Sequence, residues 1–181
     1  MFKKAINPGF IKNISKKYGN KITVAQYIIE RIKYNNIDCA FVAHDKNTSK
    51  LLSPIETAAS QINDFKLIHT NSELHSFYST LTYCEAFNKM GVCINTTESN
   101  FDEFNDLLYV TKPILSICIF NNLNDLSNTI KNTESIHSCF IETHTMRYSQ
   151  NVPKILEYFI SQCTIVPVHL NISSILCNQL I

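Results

Sequence analysis

Glycine is scarce in this chain of 181 residues, which contains three glycines in all. A protein of average composition and this length would carry about a dozen. No glycine lies between Asn20 and Met90. Because loops that cradle phosphate groups need glycine for close approach of the backbone to the ligand, this interval excludes a glycine-rich phosphate site.

The chain also lacks an excess of charge of one sign and a long apolar run. Its formal net charge is +1, which favours neither nucleic acid nor a membrane surface as a partner. No apolar stretch reaches the roughly 18–20 residues that a membrane span requires. The first 21 residues carry six lysines and no acidic residue, without the apolar core of a secretory signal. We therefore expect a cytoplasmic protein in which residues 1–20 form a basic arm and residues 21–181 form one domain.

Metal-binding and disulfide patterns are missing among the cysteines. There are seven of them, an odd number, and none forms a CxxC pair. Several lie within apolar runs such as VCIN and SICIF, which is typical of buried, reduced thiols in an intracellular protein. We expect no metal site built from these residues.

What the chain does contain is an alternation of apolar runs with segments of helical periodicity. ITVAQYIIERIKYNN carries isoleucine and alanine at helical spacing, with Thr23 as a candidate cap. Further helices are predicted in LLSPIETAASQIN, SELHSFYSTLTYCEAFNKM, DEFNDLLYVT and VPKILEYFISQC. Strands are predicted in IDCAFVAH, FKLIHT, GVCINTT, KPILSICIFNN and TIVPVHLNI. The strands are short and apolar on both faces, so this order predicts a three-layer α/β/α domain with a mainly parallel central sheet.

Three stretches, in this order, carry a resemblance to a known family. They are TVAQYIIERIKYNNIDCAFV, FKLIHTNSELHSFYSTLTYCEAFNKMGVCINTT and TIVPVHLNIS. Together they resemble the pyrimidine-binding (PYR) domain of thiamine-diphosphate enzymes such as pyruvate decarboxylase and acetolactate synthase. The second and third stretches are the specific ones, and the resemblance covers about residues 21–176.

The resemblance implies a role for Glu73. In the family, a glutamate in an N-E-L motif hydrogen-bonds a nitrogen of the cofactor's aminopyrimidine ring and so activates the cofactor. Glu73 takes this position in Asn71-Ser72-Glu73-Leu74, after a predicted strand and at the start of a predicted helix. A solvated acid that stabilises the first turn of the helix is the alternative interpretation.

The sequence departs from the family where the cofactor would lie. A glycine-rich loop of the family corresponds to Thr97-Glu98-Ser99-Asn100-Phe101, so Thr97 and Glu98 are the candidate cofactor contacts beside Glu73. The pattern of the family's diphosphate-binding PP domain, which holds magnesium, is absent. Such a chain could bind only the pyrimidine half of thiamine diphosphate.

These departures leave three functional expectations. The first is a noncatalytic PYR-like domain that serves as a structural or interaction module, self-associating as a dimer through the helix from Glu73 to Phe87. The second is the PYR subunit of a split thiamine-diphosphate-dependent decarboxylase or carboligase, completed by a separate PP-domain subunit, with Glu73 activating the cofactor. The third is a domain that binds another small ligand in the same cleft. His69 and His75 flank Glu73, but their spacing across a strand–helix turn argues against a metal site.

Overall fold

The computed structural model describes residues 8–19, 21–43, 49–96, 113–121, 142–146, 149–162 and 168–181. Strands and helices alternate over most of this length. The strands are β1 (Cys39–Ala43), β2 (Lys66–Thr70), β3 (Gly91–Thr96), β4 (Ile114–Phe120), β5 (Glu142–Met146) and β6 (Val168–Ser173). The helices are α1 (Pro8–Tyr18), α2 (Val24–Tyr34), α3 (Ser49–Ser60), α4 (Glu73–Phe87), α5 (Val152–Gln162) and α6 (Ser174–Cys177).

All six strands belong to one parallel sheet. Their order is β2-β1-β3-β4-β6-β5, so β2 and β5 form its edges. Each strand pair is in parallel register, including β5 with β6. Parallel neighbours require crossover connections, and the helices between the strands supply several of these. The predicted α/β class with a mainly parallel sheet is confirmed.

One face of the sheet is aliphatic. Its central positions belong to a single buried cluster that includes Val42, Ile94, Ile117 and Leu170. Helices α2, α3, α5 and α6 lie on this side, and their buried side chains complete the cluster. Helix α4 lies on the opposite face, where it packs against β1 and β3. The domain is therefore a three-layer α/β/α arrangement.

The expected basic arm is wrong for residues 8–18, which form α1. Phe10 and Ile14 lie four residues apart on one side of this helix, and both are buried in the main core. The Phe10 ring contacts Tyr27 edge-on at 5.3 Å between centroids and lies over the Arg31 guanidinium at 5.3 Å. Lysines on the solvent side of α1 account for the basic composition that suggested an arm.

Local sequence signals fix the ends of α2. The Thr23 hydroxyl accepts a hydrogen bond from the Gln26 amide, and the Gln26 side chain accepts one from the Thr23 amide, so the predicted cap is confirmed as a capping box. Asn35 is the C-cap of the helix. The C-terminus lies alongside this start, because the Val24 amide donates to the carbonyl of Gln179 at 2.9 Å.

Helix α3 differs from its prediction at its start. The predicted helix LLSPIETAASQIN would have Pro54 in its first turn, but the helix begins at Ser49 and Pro54 lies within it. A proline there removes the amide that would bond the carbonyl of Lys50. Lys50 is exposed, so water can satisfy that carbonyl. Across the described parts of the chain, no helix has both the length and the apolarity that crossing a membrane would require.

Candidate functional site

Helix α4 is held against the sheet by hydroxyl groups. The Ser76 hydroxyl donates to the carbonyl of Phe41 in β1 at 3.1 Å. The Thr80 hydroxyl donates to the carbonyl of Ser76 within the helix at 2.8 Å and also lies 3.4 Å from the carbonyl of Val92 in β3. Both side chains are fully buried. Phe41 lies further toward the carboxyl edge of the sheet than Val92, because Phe41 pairs with Cys93. The helix therefore runs antiparallel to the strands and begins at their carboxyl edge.

Gly91 permits the close approach of α4 to β3. A Cβ atom at this position would lie 2.6 Å from both the Cys84 sulfur and the Thr80 methyl carbon, and 2.9 Å from the Thr80 carbonyl oxygen. Contacts this short are not tolerated, so the absence of a side chain sets the helix–sheet spacing. The same contacts show that the odd-numbered positions of β3 face α4.

The turn between β2 and α4 orients Glu73. Ser72 is the N-cap of α4, and its hydroxyl accepts a hydrogen bond from the His75 amide at 3.2 Å. The Thr70 hydroxyl lies within hydrogen-bonding distance of the carbonyls of Val42 (3.2 Å) and Ser72 (3.0 Å). This hydroxyl has one proton for the two carbonyls, and its position between them brings the turn next to the end of β1. Glu73, the first helical residue, is thereby fixed at the carboxyl edge of the sheet.

The carboxyl group of Glu73 lies in a partly desolvated setting. The side chain is half-buried, and its Oε2 atom is shielded from solvent. Burial, with a smaller contribution from the negative charge of Glu73, raises the pKa of the Cys93 thiol to about 12. Burial and the same charge raise the pKa of Cys118 well above its usual value. Both thiols stay protonated at neutral pH and are not nucleophiles there.

Asn95 and Glu73 lie at about the same position along the direction of the strands. Seven residues of α4, from Thr80 back to Glu73, span about 10 Å. Three residues of β3, from Val92 to Asn95, also span about 10 Å. Because Thr80 lies beside Val92, Glu73 comes level with Asn95. Asn95 has an odd number in β3 and so faces α4, in register with Cys118 of β4.

The structure thus describes one of the three candidate cofactor residues. Glu73 lies where the strand–helix pattern predicted it, at the start of α4. Thr97 and Glu98 lie outside the described residues. His69 and His75 are exposed, and in the described portion of the chain no three His, Cys, Asp or Glu residues are grouped as a metal site requires.

Sequence reasoning missed four residues that build the site: Ser76, Thr80, Gly91 and Asn95. Ser76 and Thr80 are spaced four apart, which places them on one side of the helix. Gly91, Cys93 and Asn95 alternate along β3 and carry small or polar side chains on one face of that strand. This alternation is a usable signal for a polar sheet face.

Two exposed aromatic residues of α4 lie about half a turn apart around the helix, Tyr78 on its outer side and Phe87 at its C-terminal end. Tyr78 is 44% exposed and Phe87 is 61% exposed. The Phe87 ring packs against Tyr83 at 4.9 Å between centroids, and Tyr83 packs against Phe41 at 6.1 Å. Ile68, on the adjacent edge strand β2, is also exposed. These side chains give the α4 side of the domain an apolar surface.

Comparisons with known proteins add no assignment. No protein-family model matches the chain, and a search of curated proteins finds no significant similarity.

Proposed function

We propose that this chain is a PYR-like domain of the thiamine-diphosphate-enzyme kind that acts as a noncatalytic, self-associating interaction module. The observation that carries the proposal is the set of large apolar side chains exposed in the α4 layer and on the neighbouring edge strand β2, namely Ile68, Tyr78 and Phe87. Large apolar and aromatic side chains that stay exposed are typical of protein–protein interfaces. The resemblance implies that PYR domains pack against each other across this helix.

The net charge of the chain is compatible with a second copy of the chain as the partner at this surface. With a formal net charge of +1, two copies repel each other only weakly. We also infer an intracellular location, because the five cysteines that the structure describes carry reduced thiols with no disulfide among them.

The experiment compares the association of three proteins by sedimentation equilibrium. In the double variant Tyr78→Ser/Phe87→Ser, the dissociation constant of the dimer should rise at least tenfold, because two aromatic contacts are lost. Ile175→Ser is the matched control: Ile175 is 65% exposed but lies in α6, on the other side of the sheet, and this variant should associate like the wild type. Equal dissociation constants for the wild type and the double variant would refute the α4 interface.

A second candidate function is favoured by the setting of Glu73. A carboxyl group with a shielded oxygen at the carboxyl edge of a parallel sheet can hold and share a proton with a ring nitrogen. On this reading the chain is the PYR subunit of a split decarboxylase or carboligase. Glu73 would hold the pyrimidine ring of thiamine diphosphate, which supplies a carbanion that attacks carbonyl substrates. The diphosphate and its magnesium would be held by a separate PP-domain subunit.

Mixing experiments distinguish the two functions. The second predicts that the chain together with a PP-domain subunit turns over a 2-oxo acid with thiamine diphosphate and Mg²⁺, and that Glu73→Gln reduces this turnover at least a hundredfold. Glu85→Gln is the control: Glu85 is an exposed glutamate of the same helix, and its substitution should leave turnover unchanged. Turnover that is unaffected by Glu73→Gln would exclude a role for Glu73 in cofactor activation.

A further inference from the structure

The net charge of the chain is distributed unevenly along its length. Residues 1–21 carry six of the 16 lysines and arginines and none of the 15 acidic residues, so the remaining residues carry ten basic and 15 acidic side chains and a net charge of −5. The whole-chain value of +1 therefore conceals a basic N-terminal end on a domain of opposite charge. Of this basic end, the structure describes residues 8–19, which contain α1, and Lys21.

The lysines of α1 point away from the domain. Lys12 and Lys16 are four residues apart, so they lie on the same side of the helix. At 100° per residue this side is opposite to Phe10 and Ile14, which are buried in the core. Lys12, Lys16 and Lys21 are all exposed. Helix α1 thus fixes its apolar side on α2 and presents lysines to the solvent.

These lysines have no acidic partner among the described residues. Helix α1 contains no acidic residue, and the one lysine of α1 in an ion pair with a described residue is Lys17, which pairs with Glu30 of α2 at 2.5 Å. Lys12 and Lys16 therefore repel each other at a spacing where like charges destabilise a helix. An anionic partner from outside the domain would replace this repulsion with attraction.

The side chains of α1 favour a membrane over a nucleic acid as that partner. Its two aromatic residues are not presented for base stacking, because Phe10 is buried and the Tyr18 hydroxyl donates to Glu30. Ile11, next to Lys12, is 38% exposed and can enter the headgroup region of a bilayer. Lysines with apolar neighbours on a surface helix are typical of binding to anionic lipids.

We propose that α1 binds the domain reversibly to an anionic lipid surface through Lys12, Lys16 and Lys21. The lysine ammonium groups attract the anionic headgroups, and the net negative charge of the remaining residues turns the rest of the domain away from the membrane. Helix α1 stays packed on α2 through Phe10. The inference goes beyond the proposed function, and it is independent of the dimer because α2 and α4 lie on opposite sides of the sheet.

The test is co-sedimentation of the full chain with lipid vesicles. Vesicles of phosphatidylcholine with about 30% phosphatidylserine are compared with vesicles of phosphatidylcholine alone, at about 0.1 M salt. The wild type should bind the anionic vesicles at least tenfold more tightly. This preference should disappear at about 1 M salt, where charges are screened beyond about 3 Å. Equal affinity for the two kinds of vesicle, or no binding to either, would overturn the proposal.

Charge reversals locate the binding surface. Lys12→Glu/Lys16→Glu should lower the affinity for anionic vesicles at least tenfold, and Lys12→Gln/Lys16→Gln should give an intermediate affinity. The matched control is Lys66→Glu/Lys89→Glu, which makes the same change in net charge at two exposed lysines in β2 and after α4. The control should lose less than threefold. Equal losses in the two reversal variants would show that net charge alone determines binding and would refute the role of α1.

Two further measurements separate this proposal from its competitors. Fluorescence anisotropy with a labelled single-stranded RNA should show affinity at least tenfold weaker, per anionic group, than that for the anionic vesicles. Tighter binding to RNA that Lys12→Glu/Lys16→Glu abolishes would overturn the choice of a membrane. Sedimentation equilibrium should give the same dimer for this variant as for the wild type, so failure of the vesicle test would leave the proposed function standing.

Discussion

Gly91 shows how one residue determines the geometry of the site. It lies at the start of β3, where the Thr80 and Cys84 side chains of α4 occupy the space that a Cβ atom would need. The position of α4, and with it the placement of Glu73, depends on this missing side chain. Gly19, in contrast, has open space around it, although its φ of +63° favours glycine for conformational reasons.

We predict that Gly91→Ala lowers the free energy of unfolding by about 3 kcal/mol, because the new methyl group overpacks the α4–β3 contact. Urea denaturation measures this change. The double variant Gly91→Ala/Thr80→Ser, which removes the clashing Thr80 methyl group, should recover about 1 kcal/mol. A stability of Gly91→Ala equal to that of the wild type would contradict the close packing of α4.

The buried thiols give the domain a characteristic pH dependence. Burial is the main reason that the pKa of Cys93 rises from its model-compound value of 9.0 to about 12 in the folded state. A group whose pKa is raised on folding contributes stability below its unfolded pKa, and that contribution is lost as the pH rises toward the folded pKa. Between pH 9 and 12, Cys93 should therefore lower the free energy of unfolding by up to about 1.4 kcal/mol per pH unit.

The prediction is tested by urea denaturation of the wild type and Cys93→Ala at several pH values from 8 to 10.5. The substitution itself changes stability at every pH, so the informative quantity is the slope above pH 9. Cys93→Ala should show the shallower decline, since it lacks one thiol that ionises only in the unfolded chain. Parallel curves for the two proteins would contradict the burial of Cys93.

At the scale of elements, α1 is joined to the domain through Phe10. This ring is buried between Tyr27 and Arg31, whereas the next residue, Ile11, is exposed. We predict that Phe10→Ala costs about 3–5 kcal/mol, because it leaves a cavity at the interface of α1 and α2. Ile11→Ala, the control from the same helix, should change stability by less than about 0.5 kcal/mol. Similar effects of the two substitutions would place α1 outside the core.

An ion pair links α2 to α5 across the aliphatic side of the domain. Arg31 donates from Nε and Nη2 to the carboxylate of Glu157, with a distance of 2.9 Å for the second bond, and both side chains are buried. The Arg31 guanidinium also donates to the Asn35 side chain at 2.7 Å. The Arg31 guanidinium therefore makes three hydrogen bonds, and such additional bonds offset the desolvation cost of a buried ion pair.

Removing one partner of this ion pair should lower the free energy of unfolding more than replacing both partners with apolar residues. Arg31→Met alone should lower the free energy of unfolding by about 3–5 kcal/mol, because it leaves the Glu157 carboxylate buried without its partner. The double variant Arg31→Met/Glu157→Leu should recover at least half of this loss, since no buried charge remains. Chemical denaturation of both single variants and the double variant gives the coupling energy, and a value near zero would contradict a direct pairing.

At the scale of the whole molecule, local patterns in the sequence predict most of the elements. Helix α2 follows from its isoleucine spacing and from Thr23, because both signals act within one or two turns. The strands follow from apolar runs such as those of β3 and β4. Strand order does not follow, since it depends on contacts between segments far apart in the chain. Strand β5 is not among the predicted strands.

Two of the failures of prediction, the basic arm and the faces of β3, have a common physical origin. The many lysines of the N-terminal segment led to the prediction of an exposed arm, although Phe10 and Ile14 are buried. The Phe10 ring packs on Tyr27 and Arg31 of another helix, a contact that the local sequence does not show. The strands were read as apolar on both faces, yet β3 places Cys93 and Asn95 toward α4. The helix that packs against a buried strand determines which face of the strand can carry polar groups. A short stretch of sequence does not show which helix that is.

The central claim is that the chain self-associates through the side of the domain that carries α4. The most direct measurement is sedimentation velocity of the wild-type chain over a hundredfold range of concentration. We predict a monomer–dimer equilibrium in which the dimer dominates at the highest concentrations. A single monomeric species across the whole range would contradict the claim.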